Sequence, residues 1–468
     1  MRGVAAFAVL VSALGVAAAL VSPPQGSASA ACTAAQHAAA QTALARYRST
    51  AAANRKAYFA RHRDRKSRAA YEQRQRSTLA RLKAAAGCTV RSATPTNDAC
   101  SPALDPGGNT TNGTGPLRDA GVRGIGTLHA VVLFVDFPNA PATETPQSAF
   151  ATATDGASQY YAAQSYGRLK ITFTPIFKWY RMSKPDADYG FGRGQFTFDE
   201  QLAYMQEAAD LANADVDFSN YQLLYVVATK NASTIDYSPA FDPNRDPSFA
   251  VKEDGNLIYG GATIGSDIYT PGWGWRVLAH ETGHVFGMPD YYDIPNFDPS
   301  NYQQQFHYAG GWTIMSWDQT GAEFFAWDKY REGWIDPSQI RCQDTAGSTT
   351  ATITPVEKPG GIKMIVAKTG PSTAVVAEVR SLTGGDAGLC SSGVLVYTLD
   401  ARAPSGEGPL QIQTPHPGDP NDAADVNKCA ILWDAPLQAG ESWAGSSVTV
   451  QVLAANPDGS YNVRVTHR

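Results

Sequence analysis

Apolar positions follow two regimes along this chain. Between about residues 122 and 286, short continuous runs alternate with stretches of helical period. Residues 128–135 (LHAVVLFV) are interrupted only by His129, the pattern of a strand buried on both faces. Residues 148–164 read as a helix with Gly156 as its weak point, and residues 170–180 as a strand interrupted by Pro175. Asp199 is placed as the N-cap of a helix in which Leu202, Met205, Ala209 and Ala212 share a face. Residues 223–229 give a further strand and residues 260–265 an edge strand. Residues 276–286, with Val277, Leu278, Val285 and Phe286, form another helix. Strands alternating with helices predict an α/β body over residues 117–340.

From about Cys342 the pattern changes to short β-rich runs at residues 350–354, 362–367, 374–379, 393–399, 448–453 and 461–465, separated by Gly, Pro, Asn and Asp turns. That spacing predicts a β-sandwich-like domain over residues 341–468. Trp433 and Trp443 within it are core residues or sugar-stacking platforms.

The N-terminal quarter is different again. Residues 1–30 have the form of a secretory signal: Arg2, an apolar run over residues 4–21, then Pro23-Pro24 and the small-residue tripeptide Ala28-Ser29-Ala30. Residues 32–88 are rich in Ala, Arg and Gln with no Pro, so they are expected to be helical. They carry 13 Lys and Arg against only Asp64 and Glu72, so the acidic excess that makes the whole chain −5 lies in the remainder. A basic segment ahead of an acidic body suits a pro-segment that docks electrostatically. A solvated helical hairpin and an adhesive basic arm are the alternatives. Thr, Asn, Pro and Gly clusters over residues 89–116 read as a linker open to processing. The expected organisation is therefore a signal peptide over 1–30, a helical basic pro-segment and linker over 31–116, the α/β body over 117–340 and the β-rich region over 341–468.

A composition of 43% apolar and 17% charged residues is that of a folded globular protein. No later segment is apolar and long enough to span a bilayer. An exported chain with six cysteines is expected to form disulfides, here Cys32–Cys88, Cys100–Cys342 and Cys390–Cys429. The alternative for Cys100 is a free thiolate that caps a metal in a latent precursor. The expected localisation is extracellular, as a monomer, with no nucleic-acid partner.

The chemistry is concentrated at residues 275–293, WRVLAHETGHVFGMPDYYD. If residues 276–286 are helical, His280 and His284 lie one turn apart on one face and both can hold a zinc ion. Glu281, next to the first of them, is placed as a general base. Gly287 can end the helix in a left-handed conformation, Pro289 prevents it resuming, and Asp290 can return as third ligand. Asp293 and His307 are the rivals for that place. Met315, in GGWTIMSW, is a candidate for a turn beneath the metal. Asp242, Asp246, Glu253, Asp254, Asp298 and Asp318 offer oxygen ligands for a structural Ca²⁺.

The string H-E-x-x-H-x-x-G-x-x-D is the aspartate form of the metzincin signature. With VVLFVDF, SYGRLKITF, GGWTIMS and AWDKYREGWIDP, it makes residues 125–340 resemble the immune inhibitor A family of secreted bacterial metallopeptidases. The resemblance implies a metzincin-like fold and a zinc endopeptidase acting on protein or peptide substrates. It makes His280, His284 and Asp290 ligands, Glu281 the base and Met315 the turn methionine. Some metzincins carry a Tyr two residues after that methionine, but here the position is Trp317. Tyr291, Tyr292 and Tyr308 are the candidates for an oxyanion-stabilising hydroxyl. A binding or adhesion protein on an inactive peptidase fold, and a zinc amidase acting on cell-wall peptides, are the alternative functions.

Overall fold

The computed structural model describes residues 113–115, 122–190, 197–242, 250–415 and 431–468, with Leu79, Cys100 and Cys429. The chain divides into two compact units, Met1–Thr96 and Asn97–Arg468. All that follows concerns the second. The expected signal peptide, the expected helical basic segment apart from Leu79, and the expected Cys32–Cys88 pair lie outside the described residues.

The second unit is mixed α/β. Its first sheet runs in the order β2-β1-β3-β7-β4, with β1 (Gly126–Asp136), β2 (Leu169–Arg181), β3 (Leu223–Ala228), β4 (Ala240–Phe241) and β7 (Gly260–Ile264). The first four are parallel and β4 is antiparallel on β7. A small hairpin of β5 (Val251–Glu253) and β6 (Asn256–Ile258) stands apart. The apolar run of β1 is buried on both faces because helices cover both. Ala130, Val132 and Phe134 face α1 (Pro146–Thr154), α2 (Ala157–Gln164) and the later α4 (Trp275–Val285). Val131, Leu133 and Val135 face α3 (Phe198–Ala212).

Several sequence expectations are refined. The stretch read as one helix over 148–164 breaks at Gly156, whose left-handed φ of 108° is packed against Trp275. Pro175 is tolerated because β2 is an edge strand and its pairing with β1 slips a register beside it. The cap of α3 is Thr197 rather than Asp199, in a capping box with Glu200 that satisfies donors at both ends of the first turn. β7 is an inner strand and not an edge, since β4 pairs along its outer side.

The C-terminal region forms two further sheets. One has the order β13-β12-β11-β10-β8, from β8 (Ile340–Gln343), β10 (Met364–Lys368), β11 (Thr373–Arg380), β12 (Gly393–Asp400) and β13 (Leu410–Gln413). The other is β14-β15-β16-β9, from β9 (Gly347–Ile353), β14 (Ser442–Ala444), β15 (Val448–Ala455) and β16 (Tyr461–His467). Their facing sides share one apolar cluster, including Ile365, Val375, Val396, Val450 and Val463, in the manner of a sandwich. The opposite side of the larger sheet, including Met364, Val376 and Tyr397, belongs to the same cluster as α4, Met315 and α5 (Ala326–Arg331). One sheet thus serves two cores. Cys100–Cys342 and Cys390–Cys429 form as expected, so Cys100 is not a free thiolate.

A buried ion network holds that shared sheet to the body. Arg380, on β11, donates to both oxygens of Asp386 at 2.6 and 2.8 Å, to Glu378 at 3.2 Å and to the Trp312 carbonyl at 2.8 Å. Glu378 in turn accepts from Ala326 N at 2.7 Å and from Tyr397 OH at 2.8 Å. Every member is paired, which is what allows charges to stand in a dry interface. Arg380→Met, which keeps length but leaves Asp386 and Glu378 with a buried unpaired charge, is expected to lower unfolding stability by about 3–5 kcal/mol in a denaturant titration.

Candidate metal centre

The centre is built on α4, whose place is fixed from two directions. Tyr161 OH, from α2, donates to the Ala279 carbonyl at 2.5 Å, and Tyr225, on β3, shares a 2.7 Å hydrogen bond with Thr282. The helix ends after Val285 in a Schellman turn. Met288 N donates to Gly283 O and Gly287 N to His284 O, at 3.0 and 2.8 Å. Gly287 takes φ 94°, the left-handed conformation its place in the sequence predicts. The reversed chain then brings Asp290 back toward the helix.

His280, His284 and Asp290 are the one group of three such ligating side chains that converge among the described residues, and all are buried. His280 Nε2 and His284 Nε2 are 3.1 Å apart, and Asp290 Oδ1 is 3.2 Å from each. Each ring is oriented by its other nitrogen: His280 Nδ1 lies 2.8 Å from the Ile314 carbonyl and His284 Nδ1 2.8 Å from the Met288 carbonyl. A carbonyl only accepts, so both Nδ1 atoms carry the hydrogen and both neutral rings present an Nε2 lone pair inward. Two such lone pairs and a carboxylate oxygen at this separation repel one another unless a cation or a proton stands among them. Tetrahedral zinc with bonds of about 2.0–2.1 Å has ligand-to-ligand edges of roughly 3.3 Å, close to this triangle. The group could hold a metal ion.

Acidities respond to the same crowding. Burial, the largest influence, would depress His280, but the Asp290 hydrogen bond and the Glu281 charge push it up to about 10. His284 is likewise raised by Asp290 against the effect of burial. Asp290, which burial would raise, is held far below the usual carboxylate range by the two imidazoles. Glu281, also buried, is pushed up to about 7 by desolvation despite the opposing histidines.

The turn at Met315 lies directly under the helix. The Met315 sulfur is 2.5 Å from where a Cβ on Gly283 would stand, and Met315 O accepts from Tyr291 N at 2.9 Å. One residue earlier is Ile314, whose carbonyl orients His280. Of the three candidate tyrosines, Tyr291 is turned away and donates to Asp328 at 2.7 Å, while Tyr308 packs on His307. Tyr292 is the one at the centre, its ring 6.3 Å from that of His280 and its hydroxyl pushed well above the usual tyrosine range by burial and the Asp290 charge.

The rivals for the third ligand lie elsewhere. Asp293 accepts from Asn296 and sits 3.6 Å from His307, apart from the triangle. The acidic residues proposed for Ca²⁺ do not gather among the described residues. Glu253 bonds Gln206, Asp254 accepts from Phe218 N and Asp298 from Ser300, while Asp318 bears instead on His280. Asp246 lies outside the described residues. The residue that sequence reasoning missed is Ser405, which bonds Asp290 from the β12–β13 loop. Nothing local marks it beyond a Pro-Ser-Gly-Glu-Gly turn between two strands.

No protein-family model matches this chain, and no curated protein is similar enough to count as a relative.

Stripping the protein with a chelator is expected to lower its melting temperature, and one equivalent of Zn²⁺ is expected to restore it. A ligand at 100 times its Kd stabilises by about 2.7 kcal/mol. In His284→Ala the zinc-dependent shift should vanish, which calorimetry with and without the metal would read.

Proposed function

We propose that this protein is an exported zinc endopeptidase with a metzincin-type fold and centre, made with a basic helical pro-segment ahead of its catalytic body. The observation that carries the reading is the inward triangle of two imidazole nitrogens and one carboxylate oxygen, with a buried glutamate adjacent in sequence to the first ligand. Two nitrogens and one oxygen are donors suited to catalytic zinc, with one coordination position left over. His280, His284 and Asp290 would hold the ion, which would supply Lewis acidity toward a peptide carbonyl and lower the pKa of water to about 7.

The chain's own groups do the rest. Glu281, raised toward neutrality by burial, takes a proton from the attacking water and delivers it to the departing amine nitrogen. Tyr292 is the hydroxyl at hand on the side of Asp290. Among the described residues β4 has no neighbour beyond β7, and an extended peptide adding along that edge would be held by main-chain hydrogen bonds. Export is supported by two disulfides and by the form of residues 1–30. No helix among the described residues is long and apolar enough to cross a membrane.

Casein hydrolysis by the purified protein, freed of residues 32–88, is the test. Glu281→Ala is expected to lower the rate by roughly 10²–10⁴-fold with zinc content unchanged. Should the parent hold zinc and leave casein intact, general proteolysis is the wrong function and a binding role on this fold takes its place.

A further inference from the structure

Asp290 has two carboxylate oxygens, and only Oδ1 faces the histidines. The other is held from outside the body. Ser405 Oγ donates to Asp290 Oδ2 at 3.0 Å and accepts from Asp290 N at 2.8 Å, so one hydroxyl grips both the side chain and the main chain of the same residue. Gly406 N then donates to the Asp290 carbonyl at 3.1 Å, and Gly406 O accepts from Ile294 N at 3.0 Å. These bonds all come from the loop between β12 and β13, 115 residues downstream of Asp290.

The loop is itself built to make this approach. Gly406 takes φ 76°, and a Cβ there would stand 2.3 Å from Ile294 Cδ1, so the main chain lies against the 290–294 segment with no room for a side chain. Below the loop, Ile412 N donates to the Tyr308 carbonyl at 2.8 Å, tying β13 to the chain that follows the ligand loop. The aspartate arrives after a helix has stopped, on a segment outside any regular element, and no helical hydrogen bond fixes its rotamer. The histidines are fixed by their own helix and by Ile314 and Met288 carbonyls. Asp290 depends on the loop.

We propose that Ser405 is a positioning residue of the metal centre: it sets the orientation of the Asp290 carboxylate, so that the C-terminal sheet contributes directly to metal affinity. The inference rests on the reading of this group as a metal centre. Groups that orient metal ligands commonly contribute 10–100-fold to affinity. Ser405 touches neither the metal position nor a substrate, so its effect belongs in binding and coordination geometry rather than in the chemical step.

The test uses the full secreted chain, with Zn²⁺ affinity measured by competition against a chromophoric chelator and coordination followed by the visible spectrum of the Co²⁺-substituted protein. Ser405→Ala is expected to weaken Zn²⁺ binding by roughly tenfold or more and to shift the Co²⁺ bands. Ser405→Thr, which keeps the hydroxyl, should restore both. The metal-free melting temperature of Ser405→Ala should stay near that of the parent, which separates a local effect from general loosening. If Ser405→Ala does not fold, Ser405→Cys, of similar size but a weak hydrogen-bonding group, takes its place. Zinc affinity and Co²⁺ spectrum unchanged in a folded variant would overturn the inference while leaving the centre intact. A parent that takes up no zinc would overturn the reading of the centre, and this inference with it.

Discussion

A single helix can offer two imidazoles to one point, but not a third ligand at the same point. The spacing of His280 and His284 uses one turn of α4, and the next turn would carry any further side chain past the site. The third donor has to come from chain that has left the helix and reversed. The Schellman turn at Gly287 is therefore the constraint on which the centre depends. It also frees the Met288 carbonyl to meet His284 Nδ1, so the act of stopping the helix supplies the group that orients the second histidine.

From that turn outward, each support rests on another. His280 is oriented by Ile314 O, in the turn that carries Met315. That turn is held at Trp312, whose carbonyl accepts from Arg380 on β11 and whose indole donates to the Leu432 carbonyl at 2.9 Å. Arg380 stands in the dry interface because Asp386, Glu378 and Glu357 neutralise it. The larger sheet of the C-terminal region thus gives the body a fixed wall, packed in the same cluster as α4 and Met315. The apolar cluster that runs unbroken from α4 to β12 is the packing counterpart of these polar ties.

What could be read in the sequence follows the range of the interactions. The buried β1 run, the weak point at Gly156, the stop at Gly287 and the pairing of His280 with His284 on one face are each written within a few residues, where periodicity and backbone preference act. The cap of α3 lies two residues before the expected Asp199, because Thr197 and Asp199 are both good caps and only the reciprocal bond with Glu200 decides. The inner position of β7 was not legible, because β4 is a two-residue strand with no period to detect. Asp290 and Asp293 could not be separated by spacing. They are separated in space by Asn296 and His307 on one side and Ser405 on the other. Arg380 reaches the Trp312 carbonyl across 68 residues and Ser405 reaches Asp290 across 115, and no local pattern announces such a partner.

The distance from Asp290 to Ser405 along the chain also sets an order in time. A polypeptide emerging N-terminus first exposes His280, Glu281 and His284 long before the loop between β12 and β13 exists, and Asp290 waits 115 residues for its hydroxyl partner. Until that loop has been made and the larger sheet has closed on the body, the hydrogen bonds from Ser405 and Gly406 to Asp290 cannot form. The His280, His284 and Asp290 group therefore gains these contacts only when the C-terminal region has joined the fold.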